Sequence, residues 1–227
     1  MTYIIGDIHE EIKKMDENSV DLIYTNPPFA TTSKKWDTPL RWAELWKQMD
    51  RVLKPDGVVL LHCAIPFTYE LISIRKPKYH YTWVKTSATN FFQAKKQPLR
   101  QVEEILVYYK SNHTYNPQMI GEEIMTRSRG HYAGDNTYYG KQTPVQSTQK
   151  GRYPTNFLGK FSRKIQSKSP KSISDDIMIR MISTYSNPSE TVLDMTCCDD
   201  GLGTLCEGLN RNYIGVDISD EFLKNKI

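Results

Sequence analysis

The chain has 227 residues, 38% apolar and 25% charged, with a formal net charge of +4, which fits one ordinary domain with a real core and leaves no room for two independent ones. No stretch approaches the roughly 18 consecutive apolar residues of a membrane span, and Asp7, Glu10 and Glu11 stand where a secretory leader needs a basic start and an apolar run, so the chain is expected to be cytoplasmic and not secreted. Cys63, Cys197, Cys198 and Cys206 form no CxxC pair, so neither a metal site nor a disulfide framework is expected, only buried free thiols.

Residues 2–5 are short and β-prone, 7–15 are helix-like, and 20–24 form an apolar run that stops at a Pro-Pro pair. The spacing of Trp42, Leu45, Trp46, Met49 and Leu53 predicts a helix over 41–53. Lys54-Pro55-Asp56-Gly57 then reads as a turn with Pro at its second position, followed by a strand over 58–62. Further strands are expected at 81–85 and 105–109. From about 111 to 164 the pattern dissolves into Tyr, Asn, Thr, Ser, Gly and basic residues, too long a stretch for a bare connection. It reads as an inserted recognition element or a partly disordered segment. Regularity returns with a helix over 174–185, a strand over 191–193, a turn, a helix near 202–209 and a strand over 213–216. This alternation predicts an α/β domain with a mostly parallel sheet.

Charge is unevenly spread. Positions 120–171 hold ten Lys/Arg against three Asp/Glu, a net +7, which leaves −3 for the remainder. Arg127, Arg129, Lys150 and Arg152 are interleaved there with Tyr132, Tyr138, Tyr139 and Tyr153, a mixture suited to phosphate neutralisation and base contacts. A solvated loop is the plainer alternative.

The sharpest local feature is Asn26-Pro27-Pro28-Phe29 directly after the strand over 20–24. Two prolines fix φ and remove two backbone donors, so the chain leaves the strand as a stiff loop presenting carbonyl oxygens. An exocyclic amino group is a poor nucleophile because its lone pair is delocalised into the ring. The Asn26 side-chain oxygen and the Pro27 carbonyl, both accepting from its N–H groups, would favour a pyramidal nitrogen, and Phe29 would stack on the base. A second feature is Val192-Leu193-Asp194, then Gly201 and Gly203, then Tyr213-Ile214-Gly215-Val216-Asp217: two strands each ending in an acid. Ligands of doubly wound sheets sit at strand C-termini, where an acid closing the second strand can accept from ribose hydroxyls.

These residues resemble the amino-methylating DNA methyltransferases of the permuted β type. In that family a (D/N/S)-P-P-(Y/F/W) motif comes first, a recognition region follows, and the cofactor-binding glycine turn lies near the C-terminus. Gly6-Asp7 is similar to the family's acidic motif at the cofactor adenine. Ala94-Lys95-Lys96-Gln97-Pro98-Leu99-Arg100 with Glu103 resembles a block beside the target-base pocket, and Asp217-Ile218-Ser219-Asp220-Glu221-Phe222 is family-like. The resemblance implies a Rossmann-like S-adenosylmethionine-dependent methyltransferase fold with helices on both faces and circularly permuted motif order, one catalytic domain over 1–227, and a target-recognition insertion at about 111–165. It implies catalytic Asn26, Pro27, Pro28 and Phe29, and cofactor contacts from Asp7, Asp194, Thr196, Gly201, Asp217 and Lys171. DNA contacts would come from Lys95, Lys96, Arg100, Arg127, Arg129, Lys150 and Arg152. The expected reaction is transfer of a methyl group to N6 of a flipped adenine. DNA is the expected partner, with homodimerisation open.

Cys198 and Asp200 occupy the family's turn-glycine positions, and Ser169-Pro170-Lys171 is the nearest match to an upstream cofactor box. Without glycine the turn loses ready access to positive φ. Weakened cofactor binding, or a turn shifted onto Gly201 and Gly203, is therefore expected. Three other readings stand beside the main one: an N4-cytosine enzyme, a catalytically impaired DNA-binding subunit, and an N-methyltransferase of RNA or protein glutamine.

Overall fold

The computed structural model describes residues 1–128, 135–136, 140–141, 146–161, 173–221 and 223. In chain order the elements are β1 (Thr2–Ile5), α1 (Ile8–Glu11), β2 (Val20–Thr25), α2 (Trp42–Val52), β3 (Leu53–Cys63), α3 (Phe67–Ile74), β4 (Tyr79–Thr89) and β5 (Arg100–Tyr109). There follow β6 (Ile120–Ser128), β7 (Asp135–Asn136), β8 (Gly140–Lys141), β9 (Gln146–Arg152), β10 (Phe157–Phe161), α4 (Asp175–Tyr185), β11 (Thr191–Asp194), α5 (Gly201–Gly208) and β12 (Asn212–Asp217). They form two compact units, one of Met1–Asn116 with Asn156–Ile227 and one of Pro117–Thr155.

The larger unit is built on an eight-stranded sheet ordered β1-β12-β11-β2-β3-β5-β4-β10. All pairings are parallel except those of β5, which runs against β3 and β4. The sheet is therefore mixed but mostly parallel. Its central strand β2 is buried along its whole length, as expected for a strand covered on both faces. Leu22 and Tyr24 join Val58 and Leu60 in one core, which α4 and α5 cover with Ile177, Met181, Tyr185, Leu202 and Cys206. Ile23, Val59 and Leu61 face the other core with Ile8 of α1, Trp42, Trp46 and Met49 of α2, and Phe67 and Leu71 of α3. Helices thus lie on both faces, and the period-2 side-chain alternation of the strands feeds two separate cores. Asp21 is the one charged residue of β2. It is held by Lys54 Nζ at 2.7 Å and by the Thr191 N–H at 2.8 Å, which also ties β2 to β11.

The structure departs from the sequence expectations at several elements. The helix expected over 7–15 is a single α-turn followed by a 3-10 turn at Ile12–Lys14. Its end is held by Arg51, which donates to the carbonyls of Ile12 and Met15. The Lys54–Gly57 turn lies inside β3: Val20 pairs with Leu53 and Leu22 with Val58, so the turn bulges out while both sides stay in the ladder. The sequence reading missed α3 and β10. The first is short and apolar on most sides, so it carries little helical period. The second buries only Leu158 and is kinked at Gly159, where φ is +103°.

The smaller unit is a ribbon in which β6 pairs antiparallel with β9, with β7 and β8 forming a two-residue ladder. The segment expected to be irregular is thus partly β-structured, and β10, inside its expected limits, belongs to the main sheet. Among the described residues no helix is long and apolar enough to cross a membrane.

Candidate active site

Four strand ends converge at one edge of the sheet. β2 leaves through Asn26-Pro27-Pro28-Phe29, β11 through Met195-Thr196, β12 through Asp217-Ile218, and β1 through Gly6-Asp7. Pro27 and Pro28 are buried, Asn26 and Phe29 half-buried. A hydroxyl-carboxyl chain ties the loop after β2 to β11. Thr25 Oγ1 donates to Asp194 Oδ1 at 2.7 Å, and the Thr196 N–H donates to the same oxygen at 3.2 Å. Thr196 Oγ1 sits 3.0 Å from the Thr25 hydroxyl and 3.4 Å from the Asn26 carbonyl, with one proton to give between them. Burial pushes the Asp194 carboxyl up to about 7, against the lowering effect of its Thr25 and Thr196 donors.

Two cavities flank the tetrapeptide. The first, of about 290 Å³, is lined by Gly6, Asp7, His9, Pro28, Trp36, Thr196, Cys198 and Asp217, with apolar wall from Ile8, Leu40, Met195 and Ile218. Asp7 caps α1 by accepting from the His9 N–H at 2.9 Å. Asp217 accepts from the Cys198 N–H at 2.8 Å through one carboxylate oxygen and from the Ser219 N–H at 3.0 Å through the other. His9 is buried and its Nε2 accepts from the Arg41 N–H at 3.3 Å, while burial and then the Arg41 charge hold its pKa below the ordinary value. Cys198 has φ +56°. The turn keeps the left-handed conformation that glycine adopts freely, in place of a shift onto Gly201 or Gly203, both of which lie within α5. Unlike the other three cysteines, Cys198 is only half-buried.

The second cavity, of about 440 Å³, is lined by Asn26, Phe29, Thr31, Thr32, Trp36, Asp37, Lys85, Thr89, Arg100 and Glu103. One face of Phe29 stacks on Phe67 at 5.2 Å between centroids. Asp37 accepts from the N–H groups of Ala30, Thr31 and Thr32 and from the Thr32 hydroxyl at 2.7–2.9 Å, which fixes the loop after the tetrapeptide. Burial raises the Asp37 carboxyl, and these four donors outweigh it and hold it below the ordinary carboxylate value. Lys85 is buried and ion-paired with Glu103 at 2.8 Å.

The expected site residues divide as follows. Pro28 lies in the wall of the first cavity and Asn26 and Phe29 in that of the second, while Pro27 lines neither. Of the residues expected at the cofactor, Asp7, Thr196 and Asp217 share the first wall, whereas Asp194 lies behind Thr25 and Thr196 and Gly201 opens α5 outside the lining set. Lys171 lies outside the described residues. Arg100 lines the second cavity, and Lys95 and Lys96 are exposed between β4 and β5. Lys150 and Arg152 are exposed on β9, Arg127 stands opposite Ser147 on β6, and Arg129 lies outside the described residues. Sequence reasoning missed Trp36, Asp37, Lys85 and His9. Lys85 left a trace, a charge placed directly after Trp83 and Val84 in a strand; Asp37 left none, because its role depends on the path of the 30–37 loop.

A sheet covered on both faces, with acids closing adjacent strands and two cavities that share Trp36 at the strand C-termini, is an α/β architecture suited to a nucleoside-like ligand beside a second substrate. The chain belongs to the DNA methylase family of N6/N4-amino methyltransferases, whose profile matches residues 20–226. It is 27% identical to the DNA adenine methyltransferase YhdJ of Escherichia coli K12 over 98% of this chain and 80% of that protein. In fold it is similar to M1.HpyAVI solved with S-adenosylmethionine, with a TM-score of 0.67 at 19% identity over 98% and 95% of the two chains. It is likewise similar to the cytosine-N4-specific PvuII DNA methyltransferase, with a TM-score of 0.69 at 14% identity over 99% and 87%.

Proposed function

We propose that this chain is an S-adenosylmethionine-dependent methyltransferase that modifies N6 of an adenine turned out of the DNA helix. The observation that carries this reading is the tetrapeptide standing between two cavities, with Pro28 in one wall and Asn26 and Phe29 in the other. The first cavity fits the cofactor in chemistry. Asp217 and Asp7 are acceptors for ribose hydroxyls and the adenine amino group, the apolar wall suits a purine, and Asp7, Asp217 and Glu221 outnumber Arg41, which favours a ligand of net positive charge. When bound, S-adenosylmethionine supplies a methyl group on an already activated sulfonium.

The residues of the chain then position and desolvate. Asn26 accepts from the target amine and holds its lone pair toward the first cavity, and Phe29 stacks on the base; the Pro27 carbonyl, the second acceptor of this motif, would have to be reached from outside the two lining sets. The Thr25–Asp194–Thr196 chain keeps the Asn26 backbone in place. Asn in the first position of the tetrapeptide and the likeness to an adenine enzyme favour N6 over N4 of cytosine. Permuted, Rossmann-like order is supported by the pairing of β1 with β12, which joins the start of the chain to the strand that carries Asp217. The Pro117–Thr155 ribbon with Lys150 and Arg152 is the target-recognition insertion in this reading.

The test has two arms. Calorimetric titration with S-adenosylmethionine should show saturable binding. Incubation with mixed-sequence DNA followed by nucleoside analysis should yield N6-methyladenine. N4-methylcytosine would reassign the base, methylation of RNA or glutamine peptides in place of DNA would reassign the substrate, and cofactor binding with no methylated product would overturn the catalytic reading.

A further inference from the structure

The second cavity holds a buried ion pair that the chemistry above does not use. Lys85 is 2% exposed, and its Nζ donates to Glu103 Oε1 at 2.8 Å and to Thr89 Oγ1 at 3.2 Å. Its backbone is fixed as well, since the Lys85 carbonyl accepts from Gln101 Nε2 at 2.9 Å. An ammonium has three donors and no acceptor. Two of the three are taken by the cavity wall, and Lys85 has no other acceptor among the described residues, so the third is left to whatever fills the cavity it lines. Burying two charges is costly and adds little stability over an apolar pair of the same shape, so a pair set in a cavity wall beside Asn26 and Phe29 points to a role in binding.

Resting on the proposed reading of this cavity as the base pocket, we infer that Lys85 is a specificity-determining residue that donates a hydrogen bond to the ring nitrogen adjacent to the target amino group. On the pairing edge of adenine and cytosine the ring nitrogen beside the amino-bearing carbon is a bare acceptor, N1 or N3. In guanine and thymine the corresponding nitrogen carries a hydrogen. A donor-only ammonium held rigidly by Glu103 and Thr89 accepts the first pair of bases and confronts the second with donor against donor. Lys85 cannot accept from the amine, so it complements Asn26 without duplicating it. Glu103 and Thr89 are positioning residues that aim the ammonium, and Lys34 and Arg100 are the other cations in the same wall.

The test uses the full chain and duplexes carrying its mapped target site, with either adenine or 1-deazaadenine at the target position. The analogue keeps the amino group and replaces the N1 acceptor by C–H; 3-deazacytosine serves if the product is N4-methylcytosine. Wild type should lose roughly 10- to 100-fold in duplex affinity and in kcat/KM on the analogue, the usual effect of removing a charge-assisted hydrogen bond. Lys85→Met should bind natural DNA more weakly by a similar factor and show less than about twofold further loss on the analogue. Because Lys85→Met leaves Glu103 buried without its cation, Lys85→Met/Glu103→Leu is run beside it, and calorimetric cofactor binding reports that both variants are folded. Equal affinity of wild type for both duplexes, or full sensitivity to the analogue in the folded variants, would overturn the inference, the latter transferring the role to Lys34 or Arg100. Duplex affinity reads the hydrogen bond even if no methyl is transferred, so failure of the catalytic reading and failure of this one are separable.

Discussion

At Asn26 a single amide reaches from the end of β2 into the second cavity, and its removal isolates chemistry from folding. Asn26→Ala should lower kcat by about 10²- to 10³-fold, the usual loss when one preorganised polar group is removed. Cofactor affinity should stay within twofold, because Asn26 lies outside the first wall; retention of near wild-type turnover would remove Asn26 from the mechanism. Asp217 is different because its carboxylate both lines the cofactor cavity and holds the Cys198 and Ser219 N–H groups. Asp217→Asn keeps the shape and loses the charge, so cofactor binding should weaken by about 1 to 3 kcal/mol, read by calorimetry. Asp194 gives a pH signature. Its folded value is raised from 3.8 to about 7, so its contribution to stability is full below the unfolded value and is lost as pH rises through about 7. Thermal melts of Asp194→Asn should lack the decline in stability that wild type shows between about pH 4 and 7; identical pH profiles would show that the carboxyl is ionised throughout.

Among the elements, the turn after β11 shows what sequence could and could not reveal. The strand-acid-helix-strand-acid succession was legible because β11 and β12 are short apolar runs ending in Asp194 and Asp217. The conformation of the turn was not, because Cys198 and Asp200 replace glycine and the backbone still takes the left-handed path, held by the bond from the Cys198 N–H to Asp217. A left-handed residue other than glycine costs roughly 1 to 2 kcal/mol, partly offset by the stiffer unfolded chain. Cys198→Gly should therefore stabilise the protein by about 0.5 to 1 kcal/mol, and Cys198→Val, β-branched, should destabilise it by more than about 1 kcal/mol. Denaturant midpoints of the two variants moving in the same direction would contradict this. The helix over 41–53 was legible to within a residue at each end because Trp42, Leu45, Trp46 and Met49 share one face. β10 was not, since its place beside β4 comes from a long-range pairing and its own five residues carry no alternation.

Across the whole molecule, charge is distributed less simply than the +7 of positions 120–171 implies. The Pro117–Thr155 unit holds five Lys/Arg against three Asp/Glu, a net +2, and the other five bases of that stretch fall between 160 and 171. Lys150 shares part of its charge with Glu122 at 3.6 Å, an exposed pair of little energetic weight. Neutralising Arg127, Arg129, Lys150 and Arg152 together should still flatten the slope of log affinity against log salt by about 0.9 for each phosphate no longer neutralised, or roughly 3 to 4 if all four engage DNA. Titration of cognate and scrambled duplexes at several salt concentrations reads this, and an unchanged slope would assign phosphate binding to the residues beyond the ribbon. The shared wall has a consequence at this scale too. Trp36 borders both cavities, and the tetrapeptide gives Pro28 to one wall and Asn26 and Phe29 to the other, so a ligand that shifts this shared wall from one side changes the shape met by a ligand on the other. Thermodynamic reciprocity then requires that whatever factor one ligand adds to the affinity of the second, the second returns to the first.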